Sequence, residues 1–374
     1  MAPCLFWIQP MSHLFSPLPL GPLTLPNRIV IAPMCQYSAC NGHAGSWHAM
    51  HYGQLAQSGA GLLITEATAV QANGRISWAD TGLWDEACAA AWQPVLAGIR
   101  QWSDMPLGIQ LAHAGRKASC HRPWEGGAQL AADDARAWPT VSASAQPYAA
   151  HDVAPQALDA AGVEALIADF ASAALRAQAL GFDLIELHAA HGYLLHQFLS
   201  PLSNTRSDRW GGSLENRMAL LLAVFDAIQQ AVGAGMALGV RISATDWVPG
   251  GWDLAQSIEL ARQLDARGCH FLHVSSGGLD ARQQIPLGPG YQVPLAQAIK
   301  AQVAMPVIAV GLITEPTHAE GIVASGQADA IGIARGILYN PRWPWHAAAA
   351  LGATVAAAPQ YRRCEPRSAR GVFA

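Results

Sequence analysis

The sequence predicts a single α/β domain folded as a TIM barrel, (β/α)8, and three observations carry that prediction. Eight short β-branched and apolar runs recur along the 374 residues. Segments with apolar residues at three- and four-residue spacing separate them, as amphipathic helices would. No GxGxxG follows any of the runs, which argues against the crevice of an open dinucleotide-binding sheet. Strands that read as unbroken apolar stretches are buried on both faces, the mark of a parallel sheet. Eight of them close more naturally into a cylinder than into an open sheet.

The runs are 28–32, 62–66, 107–111, 183–188, 238–243, 271–275, 306–310 and 328–333. Among the intervening segments, 163–180 and 213–232 show the helical repeat most plainly. Between the third run and the next helix lies 119–156, rich in Pro, Gly, Ala and Asp. Loops of that length usually carry function. On a barrel this one projects from the C-terminal face as a cap. The barrel is expected over 12–354, and the Pro- and Arg-containing 355–374 is expected to form a tail, not a domain.

Composition excludes several classes. Lys plus Arg is 22 and Asp plus Glu is 26, a net charge of −4 with no run of like charge, so bulk electrostatic binding of nucleic acid is not expected. A hydrophobic share of 51% against 13% charged residues favours a compact core over disorder. The 7 cysteines (Cys4, Cys35, Cys40, Cys88, Cys120, Cys269 and Cys364) are scattered without zinc or disulfide spacing. Met1 to Pro10 has no basic residue ahead of its short apolar stretch, unlike a secretory signal, and Met11 is a candidate structural start. Asp226 interrupts the best membrane-span candidate before it reaches roughly 18 residues. A cytoplasmic protein is expected.

In a barrel, chemistry sits at the C-terminal ends of the strands. The first run ends in Pro33, Met34, Cys35, Gln36 and Tyr37, the second in Glu66, Ala67 and Thr68, and the third in Gln110 and His113. The fourth delivers His188, His191, Gly192 and Tyr193, the fifth Arg241 and Asp246, and the sixth Ser275 to Gly278. The last two lead into Gly311 with Thr314, and into Gly332, Ala334, Arg335 and Gly336. Small residues, a following helix start and an arginine after strands seven and eight suit a phosphate on a cofactor or substrate.

His188 and His191 stand three apart, a spacing that on a helical turn places both rings on one face. A metal is the competing use, yet no carboxylate stands at ligand spacing and neither His113 nor His196 completes H-E-x-x-H. Two imidazole N–H groups aimed at one point would instead stabilise an oxyanion. Tyr193, two positions on, is a candidate proton donor. Cys35 is ambiguous between packing and function, with its position favouring function. Lys117 and Lys300 are the only lysines, so a Schiff-base lyase would rest on Lys117.

The segment His188-Ala189-Ala190-His191-Gly192-Tyr193, then Gln197-Phe198-Leu199-Ser200-Pro201, Asn204-Thr205-Arg206 and Arg209 through Arg217, resembles the Old Yellow Enzyme family of FMN-dependent ene-reductases. Leu14 to Pro17, Asn27-Arg28, Ala32 to Cys35, Gln110 to Arg116 and Ala334-Arg335 extend the likeness to all but the first dozen and last ten residues. Cys35 after Pro33-Met34, followed by Tyr37, is most similar to the bacterial, thermophilic-like branch of NADPH dehydrogenases and xenobiotic reductases.

The resemblance implies non-covalent FMN, with NADPH or NADH as reductant. It implies contacts to the flavin from Ala32, Pro33, Met34, Cys35, Ala67, Gln110, Arg241, Gly311, Ala334 and Arg335, with Arg335 at the phosphate, Arg241 near N1 and O2, and Cys35 against the ring. It further implies that His188 and His191 hold the carbonyl oxygen of an enone, enal or maleimide-type substrate, Tyr193 protonates Cα and Tyr37 adds a hydroxyl. Ala334 departs from the glycine many relatives carry there. Gln360-Tyr361-Arg362-Arg363 resembles a C-terminal arginine finger that reaches a neighbour's site. Arg363 or Arg362 would serve, in a homodimer or dimer-based tetramer. Rival readings are a dienoyl-CoA reductase, which needs iron–sulfur and dinucleotide domains, a dihydrouridine synthase, which needs a basic surface for tRNA, and a non-catalytic flavin-binding protein.

Overall fold

The computed structural model describes residues 12–374, so Cys4, the Met1 to Pro10 reading and Met11 lie outside the described residues. Eight parallel strands close into a barrel: β1 (Ile29–Ile31), β2 (Leu62–Ala69), β3 (Leu107–Ala112), β4 (Leu184–Ala189), β5 (Ala237–Ser243), β6 (Phe271–Ser275), β7 (Val307–Val310) and β8 (Ala330–Ile333). All eight predicted runs are strands. The ring closes through Ile331 opposite Ile29, between β8 and β1.

The strands form because alternate side chains have two different apolar environments. One set, including Ile29, Ile31, Leu63, Ile185 and Val240, packs outward under the helices. The other points into the barrel, where Val30, Leu62, Leu184, Phe271, Ile308 and Ala330 fill the floor. An antiparallel hairpin, Leu18–Leu20 with Leu23–Leu25, plugs that floor with Leu18, Leu20 and Leu25. Above the apolar layer the inward positions turn polar, with Gln110, Glu186, Arg241 and His273 all buried. The gradient from oily floor to polar mouth places the site.

The helices follow the sequence closely. Ala160–Ala179 begins at Asp159, whose side chain accepts from Gly162 N, and Leu214–Val232 begins at Ser213, whose hydroxyl accepts from Asn216 N. The second, which carries Asp226, is the one described helix long and apolar enough to cross a membrane. Its Leu220, Leu221, Val224, Phe225 and Ile228 are buried against the barrel.

Segment 119–156 has little regular structure beyond a 3-10 turn at Pro123–Glu125 and a two-residue pairing of Val141–Ser142 with Gln156–Ala157. Its Trp124 meets Tyr37 edge to face at 6.0 Å, and Tyr148 lies under Lys117. The segment thus covers the mouth. Beyond the last barrel helix, Trp343–Leu351, the chain returns so that Val355 pairs with Phe373, and Trp345 packs on Tyr361 and Phe373.

Candidate active site

The two imidazoles come together by a route other than the helical one the spacing suggests. His188 is still in β4, opposite Arg241 of β5. The strand ends at Ala189, and His191 and Gly192 then take left-handed conformations, with φ of 57° and 74°. Only glycine fits the second: a Cβ on Gly192 would lie 2.2 Å from the Gly278 carbonyl oxygen. The turn sets the His188 and His191 rings perpendicular with centroids 5.2 Å apart, and the Tyr193 ring 4.9 Å from His188.

Buried neighbours hold this turn. Gly192 N donates to His196 Nδ1 at 2.9 Å, and His196 Nε2 lies 2.8 Å from Asp246 Oδ1. His191 N donates to Ser243 Oγ, and His191 Nε2 meets Ser275 Oγ at 2.8 Å. Ala190 N donates to His188 Nδ1 at 3.2 Å. That bond requires a bare Nδ1, so the proton of the neutral ring sits on Nε2. Burial first, and then the charge of Arg241, pushes both imidazoles well below their ordinary range. Both are neutral at pH 7. Burial likewise pushes the Tyr193 phenol well above its ordinary value, so it keeps its proton.

Across the mouth, Arg241 is 6% exposed, and its Nε has no hydrogen-bond partner among the described residues. Burial pulls its pKa down, opposed chiefly by the charge of Glu186. Glu186 itself is spoken for: it accepts from Gln110 Nε2 at 2.7 Å and pairs with His273 Nδ1 at 2.8 Å. Gln110 therefore commits its NH2 group to Glu186, and its oxygen is left as an acceptor. Sequence reasoning missed Glu186 and His273 as site residues, and although it placed Asp246 at a strand end it did not foresee its pairing with His196. The available signal was a lone charged or imidazole residue at an inward position of an otherwise apolar strand.

The end of β1 supplies Ala32, whose N–H continues the sheet to Ile333 O, then Pro33, Met34 and Cys35. Gln36 N donates to Glu66 Oε2, and Tyr37 follows in a left-handed conformation with φ 51°. Burial raises the Cys35 thiol well above its usual value, with Asp80 and Glu66 adding to the effect, and burial raises the Tyr37 phenol. Ala67 follows the irregularity in β2 between Thr65 and Ala67. At the far end, Gly311 has φ 130°, Ala334 caps the short helix Arg335–Tyr339, and Arg335 is exposed.

Arg363 and Arg362 stand apart from this group. Arg363 lies in the exposed 3-10 segment Pro359–Cys364, whose Tyr361 packs on Trp345, away from the His188–His191 pair of its own chain. Arg362 donates to the Ala374 carbonyl. Lys117 is beside the site, but its Nζ donates to the carbonyls of His191 at 2.9 Å and Gly278 at 2.8 Å. Those bonds use its amine as a clamp, and the lyase reading gains nothing from them.

The family model for NADH:flavin oxidoreductases and NADH oxidases matches residues 13–353. The chain belongs to this family, that of Old Yellow Enzyme. It is 43% identical over 355 residues to an NADPH dehydrogenase of Listeria innocua serovar 6a (strain ATCC BAA-680 / CLIP 11262), covering 94% of this chain and 99% of the relative. It is 40% identical over 354 residues to an NADPH dehydrogenase of Geobacillus sp. (strain WCH70), covering 94% and 98%. A solved structure of morphinone reductase in complex with tetrahydroNAD superposes with a TM-score of 0.75 at 28% identity, covering 94% of this chain and 93% of that one.

This Old Yellow Enzyme relative is therefore a flavin oxidoreductase that uses FMN with NAD(P)H as reductant. Its own residues suit FMN. A buried guanidinium lacking a protein partner at Nε matches the carbonyl and imine edge of a flavin, and the Gln110 oxygen matches an N–H donor. The exposed cation Arg335, beside Gly332 and Gly311, suits the phosphate.

Proposed function

We propose that this flavin oxidoreductase reduces the activated C=C bond of α,β-unsaturated carbonyl compounds. The observation that carries the reading is the perpendicular His188–His191 pair with the Tyr193 ring 4.9 Å from His188. When bound, FMN supplies the redox chemistry, passing a hydride from NAD(P)H to the Cβ of the substrate. Arg241, Gln110, Ala67 and the 32–35 stretch hold its ring, while Gly311, Ala334 and Arg335 hold its phosphate end.

His188 offers Nε2–H to the substrate carbonyl oxygen, because its Nδ1 is occupied by Ala190 N. Ser276 Oγ at 2.6 Å and Ser275 Oγ at 3.3 Å both face Gln292 Oε1; in this reading the Ser275 proton goes to the shorter contact, His191 Nε2 at 2.8 Å, and the His191 proton is on Nδ1. Two neutral donors then meet the oxygen on which negative charge develops, at no cost in imidazole deprotonation. Tyr193, kept protonated by burial, delivers its proton to Cα. Tyr37 contributes a second hydroxyl beside Cys35. Segment 119–156 limits water through Trp124 and Tyr148.

In this reading Arg363 or Arg362, both exposed in the tail, reaches the site of a neighbouring subunit in a homodimer or dimer-based tetramer. The test is anaerobic turnover of NADPH with 2-cyclohexenone. Formation of one cyclohexanone per NADPH consumed is expected, and NADPH oxidation that requires oxygen and yields no saturated ketone rejects the reading.

A further inference from the structure

Lys117 is a half-buried cation that the reaction as described does not use. It ends the 3-10 turn Gly115–Lys117 that follows β3. Two of its three N–H donors are fixed on the carbonyls of His191 and Gly278, which belong to the turns after β4 and β6. Its Nζ stands 5.2 Å from the centroid of the Tyr193 ring and 4.7 Å from that of Tyr148, the latter contributed by the capping segment. Arg116 beside it donates to Leu279 O at 3.0 Å. The pair thus joins four segments at the point where the proton donor sits.

We propose that Lys117 is a positioning residue for the proton-donating step. Its ammonium fixes the left-handed His191 turn through the carbonyl, and its charge faces the negative charge that Tyr193 acquires on giving up its proton. The balance is simple. The Tyr193 O–H bond breaks, the proton forms the new C–H bond at Cα, and the electron pair stays on the phenolate until solvent returns a proton. A cation 5.2 Å from the ring centroid favours the phenolate, whose charge is shared with the ring, over the neutral phenol. The field of Lys117 also adds to the forces that keep His188 and His191 neutral. The inference rests on the alkene-reduction reading above.

Its pH signature is specific. Around Lys117 stand Arg116, Cys120, Tyr148, Tyr193, His188 and His191. Burial pulls the lysine down to about 8. The Cys120 thiol is pushed up to about 11, both tyrosines are raised and both histidines are lowered, so Lys117 is the member of this group that titrates near 8. Asp80, pushed up to about 7 by burial, titrates a unit lower. A group needed in its protonated form loses its effect as pH rises through its pKa.

The test compares wild type with Lys117→Met and Lys117→Arg. With two lysines in the chain, 13C-lysine labelling gives two signals, and NMR titration reads the Lys117 pKa without turnover. We expect the rate at which 2-cyclohexenone reoxidises the NADPH-reduced holoenzyme to fall through that same pKa. Lys117→Met should be slower by roughly tenfold to a hundredfold at pH 7, in line with loss of a charge-assisted contact, and should lack that limb. Lys117→Arg should remove the limb and recover most of the rate. A Lys117→Met profile like that of wild type overturns the assignment. So does a wild-type limb that departs from the NMR pKa, and this second comparison decides the matter if the methionine variant does not fold. Wild-type holoenzyme that cyclohexenone cannot reoxidise refutes the alkene-reduction reading itself, and the lysine assignment with it.

Discussion

Arg241→Met separates the needs of the fold from the needs of the cofactor, because the two respond with opposite sign. In the folded chain Arg241 is 6% exposed and its Nε has no hydrogen-bond partner among the described residues. Desolvating an ion costs several kcal/mol, and here it is offset chiefly by the longer-range attraction of Glu186, already engaged by Gln110 and His273. Replacing the cation with an apolar side chain of similar length should stabilise the apoprotein by about 1–3 kcal/mol, read as a rise of a few degrees in Tm. Affinity for FMN should move the other way. Each charge-assisted hydrogen bond lost costs about 1.5–3 kcal/mol, or roughly tenfold to 150-fold in Kd. Calorimetry of apoprotein and equilibrium dialysis with FMN measure the two terms separately. An apoprotein that melts lower while FMN binds as tightly as before would refute the argument, since it would make Arg241 a structural residue.

Three further outcomes follow from the geometry. Tyr193→Phe should slow alkene reduction by roughly 10²–10⁴-fold while the reduction of bound flavin by NADPH is retained, and equal loss of both half-reactions in rapid-mixing experiments contradicts the proton-donor role. His188→Ala should weaken binding of a phenol or enone probe by roughly tenfold to 150-fold, the loss of one donor to a charged oxygen, and unchanged affinity in a spectral titration rejects the oxyanion assignment. Because burial lifts the Cys35 thiol, its alkylation by iodoacetamide in the apoprotein should stay slow at pH 7–9 while the exposed Cys40 and Cys364 react. Mass spectrometry showing Cys35 labelled first would overturn that assignment.

The barrel was legible because strands buried on both faces are written as unbroken apolar runs: 271–275 coincides with β6, and the other seven differ by up to three residues at an end. The strand ends were legible for the same reason, since they stand where those runs stop. The conformation of the histidine pair was not. A three-residue spacing suits a helix, whereas here a strand end and two left-handed residues bring the rings together, and that turn depends on the close approach of Gly278 from a distant loop. Glu186 and His273 were hidden inside runs that hydropathy reads as core. The place of Lys117 was also beyond reach, because its partners lie 74 and 161 residues further along the chain.

The most direct measurement is anaerobic rapid mixing of the FMN-loaded protein, first with one equivalent of NADPH and then with 2-cyclohexenone. The account predicts that the yellow absorbance is bleached by the first reagent and restored by the second, with one cyclohexanone formed per flavin. A flavin that NADPH bleaches and the enone leaves bleached until oxygen is admitted would contradict it.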